Sequence, residues 1–155
     1  MELVKWNDKF ATGIASVDHE HEELIATINS FYSALTHDYS KAQLVNSLNN
    51  IYGAIHAHFM LEEKLMRKNG YDGYIEHSHD HAQLLDALRD ITMDLESSST
   101  LDEEKLKAQL SDWFLVHFKT HDSRLHTLEK LIAKRENESN RLIQALKKIK
   151  AIFIK

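Results

Sequence analysis

The sequence lacks cysteine and proline and contains only four glycines among its 155 residues. The absence of cysteine excludes disulfides, zinc–thiolate sites and cysteine-ligated iron–sulfur clusters. The scarcity of proline and glycine, which interrupt regular structure, favours long helices over strands and turns. No apolar run approaches the roughly 18 residues of a membrane span. The N-terminus has no signal-peptide core, so we expect a cytoplasmic protein.

Charge is distributed unevenly along the chain. Residues 1–133 contain 12 Lys and Arg against 22 Asp and Glu, a net charge of −10, whereas residues 134–155 contain seven against two, a net charge of +5. An acidic body argues against general nucleic-acid binding. We therefore expect no nucleic-acid partner, and we treat the basic segment as a separate part of the chain.

Apolar residues recur at steps of three and four in four segments, which is typical of amphipathic helices. Asp18 is predicted as the N-cap of the first helix, and the second helix is predicted to end at Asn69-Gly70. Thr100 or Asp102 is predicted to cap the fourth helix. The second segment shows the pattern most clearly, because every step between Leu44 and Leu65 is three or four.

Four amphipathic helices joined by short loops are most economically arranged as an antiparallel up-down-up-down four-helix bundle. We therefore predict an all-α fold in which this bundle forms one domain over residues 1–133. The bundle includes an N-terminal arm over residues 1–17. A basic amphipathic C-terminal helix over residues 134–155 is predicted to extend it.

Polar residues stand on the apolar faces of all four predicted helices. A buried ionisable group costs several kcal/mol unless it is paired or bound to a metal. One such histidine is typical of a hydrogen-bonded core residue, but convergence of six polar groups from four helices predicts a metal site. These residues are His21, His58, Glu62, His77, His81 and His117.

The spacing of these residues indicates two metal ions. His58 and Glu62, and likewise His77 and His81, stand four residues apart, so each pair lies on one helical face. Together with the other two histidines they exceed the four ligands of one zinc ion. Imidazole-rich ligation with carboxylates suits iron, and ligand type alone leaves zinc, copper and nickel as alternatives.

These residues fall within four short motifs of the sequence. They are Asp18-x-x-His21, His58-Phe59-x-x-Glu62-Glu63, His77-x-x-x-His81 and Trp113-x-x-x-His117-x-x-x-x-Asp122. Together with Trp6 and Gly13-Ile14, they resemble the signature of the hemerythrins, in particular the bacterial ones. The resemblance covers residues 4–132.

This resemblance implies a pair of non-haem iron ions bridged by an oxo or hydroxo group. By this resemblance, His77, His81 and His117 hold one ion. His21 and His58 hold the other ion, which keeps an open coordination position. The two carboxylates bridge the ions. Hemerythrins bind O2 end-on at the open iron, as a hydroperoxide, and release it. The implied ligands are His21, His58, Glu62, His77, His81, His117 and Asp122.

The ligand from the end of the fourth helix has two candidates. On a regular helix His121 lies about 40° from His117, whereas Asp122 lies about 140° away. Spacing alone selects His121, and the hemerythrin pattern selects Asp122. A local π-bulge would reconcile the two, because such bulges often occur at functional sites. We predict Asp122.

Aromatic residues flank the predicted ligands. We expect them to pack in the core and also to form a dry O2 pocket, because apolar walls exclude water. Hemerythrins often have leucine at the position of Phe114, and a larger ring is expected to narrow the cavity. The predicted pocket residues are Phe59, Trp113, Phe114 and Phe118.

The resemblance predicts a protein that binds O2 reversibly, as a carrier, store or delivery protein, and not an enzyme. The alternatives are an oxygen or redox sensor that signals through the C-terminal helix, and a di-iron enzyme that acts on peroxide or NO. Accordingly, the protein partner is expected to be an oxygen-using enzyme or a signalling protein.

The basic segment itself has an amphipathic pattern. Leu142, Leu146, Ile149 and Phe153 follow at steps of four, three and four, and three lysines surround them. One interpretation is a helix that packs on the acidic body. A short coiled-coil dimer seam is the second interpretation. A helix that docks on a membrane surface or a partner is the third.

Overall fold

The computed structural model describes the backbone over residues 4–35, 39–100, 102–120 and 122–153. Within these ranges it describes the side chains except those at positions 9, 114–120, 122–124 and 151–153. The prediction of an all-α fold is confirmed, because the described residues form five α-helices and one short 3-10 helix and contain no strand. These elements are the 3-10 helix Asp8–Phe10, α1 (Ala15–Leu35), α2 (Lys41–Asn69), α3 (Tyr74–Ser97), α4 (Glu103–Thr120) and α5 (Asp122–Phe153).

Short connections return the chain between successive helices, as in an antiparallel bundle. Helix α2 packs against α1 and α3, and α3 also packs against α4. The first turns of α5 pack against α2 and α4, so α4 and the start of α5 together supply the fourth member of the bundle. Position 121, between α4 and α5, lies outside the described residues, and so does the predicted π-bulge.

Local signals explain both ends of α2 and the start of α4. Ser40 caps α2 in a capping box with Gln43, which satisfies backbone N–H groups at the start of the helix. Gly70 ends the same helix with a left-handed φ of 65°, a conformation that favours glycine. Asp102 caps α4 by accepting a hydrogen bond from the backbone N–H of Lys105 at 3.0 Å. Asn69-Gly70 and one of the two alternatives for α4 were thus predicted correctly.

The prediction that Asp18 is the N-cap of α1 is wrong. Helix α1 begins at Ala15, and Asp18 lies in its first turn. The Asp18 carboxylate instead accepts hydrogen bonds from the backbone N–H and hydroxyl of Thr12, at 2.6 and 2.7 Å, and from Gly13 N–H at 3.2 Å. It therefore fixes the loop before the helix, where Gly13 has a left-handed φ of 84°.

The N-terminal arm is tied to the bundle along α1. The Asn29 side chain accepts a hydrogen bond from Val4 N–H at 3.0 Å and donates one to the Val4 carbonyl at 2.7 Å. Trp6 and Phe10 pack edge to face, with ring centroids 6.2 Å apart, and both pack against the main core. The carbonyl of Phe10 is thereby held beside the first turns of α1.

Two separate apolar clusters fill the interior. The larger cluster takes aliphatic and aromatic residues from α1 to α4 and contains Phe59 and Trp113. The smaller cluster joins Val17, Met66 and Leu128, from α1, α2 and α5. Between them, at the same level in α1, α2 and α3, lie buried polar side chains.

Helix α5 divides into a packed part and an exposed part. Leu125 and Leu128 are fully buried, and the Arg135 guanidinium donates a hydrogen bond to the carbonyl of Lys68. Residues 136–150 are exposed throughout. The interpretation in which this segment packs on the body is therefore wrong for these residues.

Within the described part of the chain, no helix is both long enough and apolar enough to cross a membrane.

Candidate metal centre

Five of the predicted ligands lie together between the two apolar clusters. Each is almost completely buried, with at most 1% of its surface exposed. Their ligand atoms form two groups of three that share the Glu62 carboxylate, and within each group the atoms lie within 4.8 Å of one another. The first pair of histidines is His21 and His58, from α1 and α2, and the second pair is His77 and His81, from α3.

Glu62 separates the two histidine pairs and faces both. Its Oε1 atom lies 3.7 Å from His21 Nε2 and 3.4 Å from His58 Nε2. Its Oε2 atom lies 3.4 Å from His77 Nε2 and 3.1 Å from His81 Nε2. One carboxylate thus offers one oxygen to each pair, which is the arrangement required of a ligand that bridges two ions.

Hydrogen bonds behind three of the rings fix which nitrogen faces the centre. His21 Nδ1 lies 3.2 Å from the Phe10 carbonyl oxygen. A carbonyl only accepts, so Nδ1 carries the hydrogen and Nε2 presents its lone pair to the interior. His58 Nδ1 donates in the same way to Glu20 at 2.9 Å, and His81 Nδ1 to Glu63 at 3.1 Å.

These outer partners are typical of metal-binding histidines, in which the second ring nitrogen donates to a carboxylate or a carbonyl. The contact fixes the ring's orientation and makes the inward nitrogen a stronger ligand. Glu20 and Glu63 are only partly exposed, at 33% and 23% of their side chains. They form the boundary between the centre and solvent.

The inward nitrogens of the first pair approach each other closely. His21 Nε2 and His58 Nε2 are 3.0 Å apart. Two nitrogen lone pairs at this distance repel each other unless a proton or a metal ion lies between them. Burial lowers the pKa of His58, but the carboxylates of Glu62 and Glu20 outweigh this effect and raise the pKa above 6.5. The carboxylates of Glu62 and Glu20 thus favour the protonated form of His58 in the metal-free protein.

The centre also stabilises the ionised form of its carboxylate. Burial raises the pKa of Glu62, but attraction to the four surrounding histidine rings, when a ring carries a second proton on its inward nitrogen, outweighs burial and holds the pKa well below its usual range. Its Oε1 atom is completely buried and has no hydrogen-bond partner among the described residues. A buried anionic oxygen without a donor is costly unless a cation satisfies it.

The residues therefore fit metal binding. A first-row metal ion that is about 2.0–2.2 Å from nitrogen and oxygen ligands places neighbouring ligand atoms roughly 3–3.5 Å apart. The observed separations across the centre, 3.0 to 3.7 Å, are close to this range. Imidazole and carboxylate are ligands shared by iron, zinc, copper and nickel sites.

Phe59 covers the centre from the side of the larger apolar cluster. Its ring stacks on His81 with centroids 3.7 Å apart and planes at 1°, and it lies 5.9 Å from the His58 ring. Trp113 is also buried, and its indole N–H donates a 2.7 Å hydrogen bond to the Leu84 carbonyl. The structure thus places Phe59 directly against two of the histidines.

Several predicted residues lie outside the described side chains, and their roles stay predictions. They are the ligands His117 and Asp122, the alternative His121, and the pocket residues Phe114 and Phe118.

Sequence reasoning missed two outer partners of the histidines. These are the carboxylate of Glu20 and the backbone carbonyl of Phe10. Glu20 belongs to α1 but contacts His58 on α2, so no spacing within one helix indicates the pair. The sequence contains one local signal. Each acidic partner is the direct neighbour of a predicted ligand: Glu20 precedes His21, and Glu63 follows Glu62.

Comparison with known proteins identifies the fold and the family of this chain. No curated protein sequence matches the chain significantly. Among solved structures, a leucine-to-alanine mutant of hemerythrin matches with a TM-score of 0.73 at 19% identity, over 83% of this chain and 98% of that chain. A leucine-to-tyrosine mutant of hemerythrin gives the same TM-score, identity and coverage. These likenesses show a common fold. Residues 12–129 match the family described as the hemerythrin HHE cation binding domain, and the chain therefore belongs to that family.

Proposed function

We propose that this protein binds O2 reversibly at two iron ions and acts as a cytoplasmic carrier or store of O2. The observation that carries the proposal is the single buried carboxylate of Glu62, shared between two pairs of histidines. Membership of the hemerythrin HHE family supports the choice of O2 as the ligand. His117 and Asp122 complete the proposed ligand set.

The residues of the chain prepare the centre before any ion binds. Hydrogen bonds from Nδ1 orient the rings of His21, His58 and His81. Glu62 holds the two pairs apart while remaining ionised, so it would contact both ions through different oxygens. Phe59 covers the histidines and excludes water from one side. Two ferrous ions at this position would supply the redox chemistry for reversible O2 binding.

The composition of the centre supports binding over oxidation chemistry. The five described residues of the proposed ligand set are four histidines, which bind metal as neutral imidazoles, and one carboxylate. Ferritin-like di-iron sites instead use several glutamates together with Glu-x-x-His pairs. Fewer anionic ligands stabilise high oxidation states less, which favours release of O2 over its further reduction. This argument from ligand type is the reason that we propose a carrier and not an enzyme.

Metal content and the visible spectrum test this proposal directly. The purified protein would be loaded with ferrous iron under argon, desalted, and its iron counted. It would then be exposed to O2 and returned to argon. We expect two iron ions per chain, and an absorption band that develops with O2 and disappears under argon over repeated cycles.

Two results would overturn the proposal. Stable binding of zinc but not iron would show that the ligand set serves another metal. Conversion by O2 to an oxidised form that argon does not reverse would indicate redox chemistry. Steady consumption of peroxide or NO in the presence of a reductant would then identify an enzyme.

A further inference from the structure

The exposed end of α5 presents an apolar stripe to solvent. Leu142, Leu146 and Ile149 are 66%, 64% and 51% exposed. At about 100° per residue, these three side chains lie within roughly 60° of the helix circumference. Large apolar side chains that are aligned in this way and exposed mark an interaction surface.

The charge around this stripe has one sign. Residues 139–155 contain five Lys or Arg and no Asp or Glu. On the helix, Arg141 and Lys148 border the stripe on one side, and Lys150 borders it on the other. An apolar stripe bordered by cations on both sides suits the interface of an anionic lipid layer, where the aliphatic stems are buried and the charges reach the headgroups.

The same features disfavour pairing of two copies through this helix. In the preceding turns of α5, Arg135 and Glu138 lie on the same helical face as the stripe. The apolar pattern is therefore limited to about two heptads. Pairing would also place the bordering cations of the two helices beside each other, which is destabilising. Self-association is thus opposed both by the short apolar pattern and by charge.

The acidic body does not prevent approach to an anionic surface. Arg135 fixes the helix to the body through the carbonyl of Lys68, and exposed residues 136–150 extend beyond this point. Fifteen helical residues span about 22 Å. This length exceeds the distance of about 8 Å over which charges act at physiological ionic strength.

We propose that residues 141–150 form a peripheral membrane anchor that binds anionic lipid surfaces without crossing the bilayer. The apolar stripe inserts at the level of the headgroups, and the bordering cations contact lipid phosphates. The bundle would thereby be localised at a membrane. This proposal does not depend on the metal that the centre binds.

Co-sedimentation of the intact 155-residue chain with lipid vesicles tests the anchor. Vesicles of phosphatidylcholine alone would be compared with vesicles in which about a third of the lipid is phosphatidylglycerol. We expect binding to the anionic vesicles only, with weaker binding as salt is raised. Lys148→Gln with Lys150→Gln, which removes one bordering cation from each side of the stripe, should weaken binding about 25-fold, because each cation near the surface contributes roughly fivefold. Leu142→Gln with Leu146→Gln should weaken it by on the order of tenfold or more.

Matched variants control for total charge and surface hydrophobicity. Lys130→Gln with Lys134→Gln removes the same charge from the packed part of α5. Ile75→Gln with Met93→Gln removes exposed apolar side chains from the bundle. Both double variants should bind anionic vesicles within about twofold of the wild type. All substituted positions are exposed, so circular dichroism should show an unchanged helix content.

Three results would overturn the proposal. One is absence of binding to both kinds of vesicle. Another is that the control variants weaken binding as much as the variants within residues 141–150 do. The third is a stable dimer in sedimentation velocity that Leu142→Gln with Leu146→Gln dissociates, because it would identify the stripe as a contact between two copies of the chain.

Discussion

Replacing Glu62 with glutamine should remove metal binding at both histidine pairs together. The two residues have the same shape, but the amide offers one oxygen and one NH2 group in place of two anionic oxygens. One pair therefore loses its shared ligand, and the other faces a neutral oxygen. A carboxylate that belonged to one pair only would leave the second ion in place.

The magnitude follows from two separate effects. In the metal-free protein, the lowered pKa of Glu62 means that its ionised form stabilises the fold above its unfolded pKa near 4.5. Its loss should therefore lower the free energy of unfolding of the metal-free protein at neutral pH. In the wild type, an ion at a thousand times its Kd adds about 4 kcal/mol. Glu62→Gln should lose most of this increment.

Urea unfolding with and without ferrous iron, under argon, measures both effects. The matched control is Glu63→Gln, the same chemical change at the next residue, where the side chain contacts His81 Nδ1 from outside the centre. It should weaken iron binding by about 10–100-fold while retaining both ions. If Glu62→Gln retains two ions with wild-type affinity, the shared-carboxylate geometry is not the basis of metal binding.

Other substitutions test separate parts of the structure. Gly70→Ala places a Cβ at a φ of 65° and should lower the free energy of unfolding by about 1–2 kcal/mol. At Gly53, an added Cβ meets no atom within 4 Å, so Gly53→Ala should raise the free energy of unfolding by about 0.5–1 kcal/mol. Equal free energies of unfolding for the two variants in urea would contradict this contrast. Asp18→Ala removes the acceptor of three hydrogen bonds and should cost about 3 kcal/mol, with faster hydrogen exchange in the preceding loop; unchanged exchange would exclude this role. Because the pKa of His58 is raised, its contribution to the stability of the metal-free protein is present below pH 6.5 and is lost as pH rises through the folded pKa. Glu20→Gln should flatten this pH dependence in urea midpoints, and an unchanged slope would show that Glu20 does not act on His58.

The helices and the burial of five predicted ligands could be predicted because both depend on periodicity within single segments. Buried polar residues at steps of three and four continue the same faces as the apolar core, as His58 and Glu62 do on α2. The burial of His77 and His81 between two apolar clusters is the outcome of the same pattern. Periodicity identifies which residues face inward, and their chemical type then indicates metal binding.

Contacts between elements could not be predicted in this way. Asp18 has the composition of an N-cap, but its carboxylate is used by the loop at Thr12, which moves the start of α1 to Ala15. Glu20 contacts His58 on the neighbouring helix. Such pairs depend on the rotation and height of one helix relative to another, which the spacing within either helix does not determine.

The arrangement also predicts how metal binding is linked to order in the N-terminal arm. The Phe10 carbonyl holds His21 in the orientation that directs Nε2 inward, and Asn29 fixes the start of the arm at Val4. An ion that requires this orientation stabilises the arm as well as the bundle, because binding only to the ordered state shifts the equilibrium towards it. Hydrogen exchange in residues 4–12 should therefore slow when the centre is loaded. Exchange that is fast and identical in both states would show that the arm is independent of the centre.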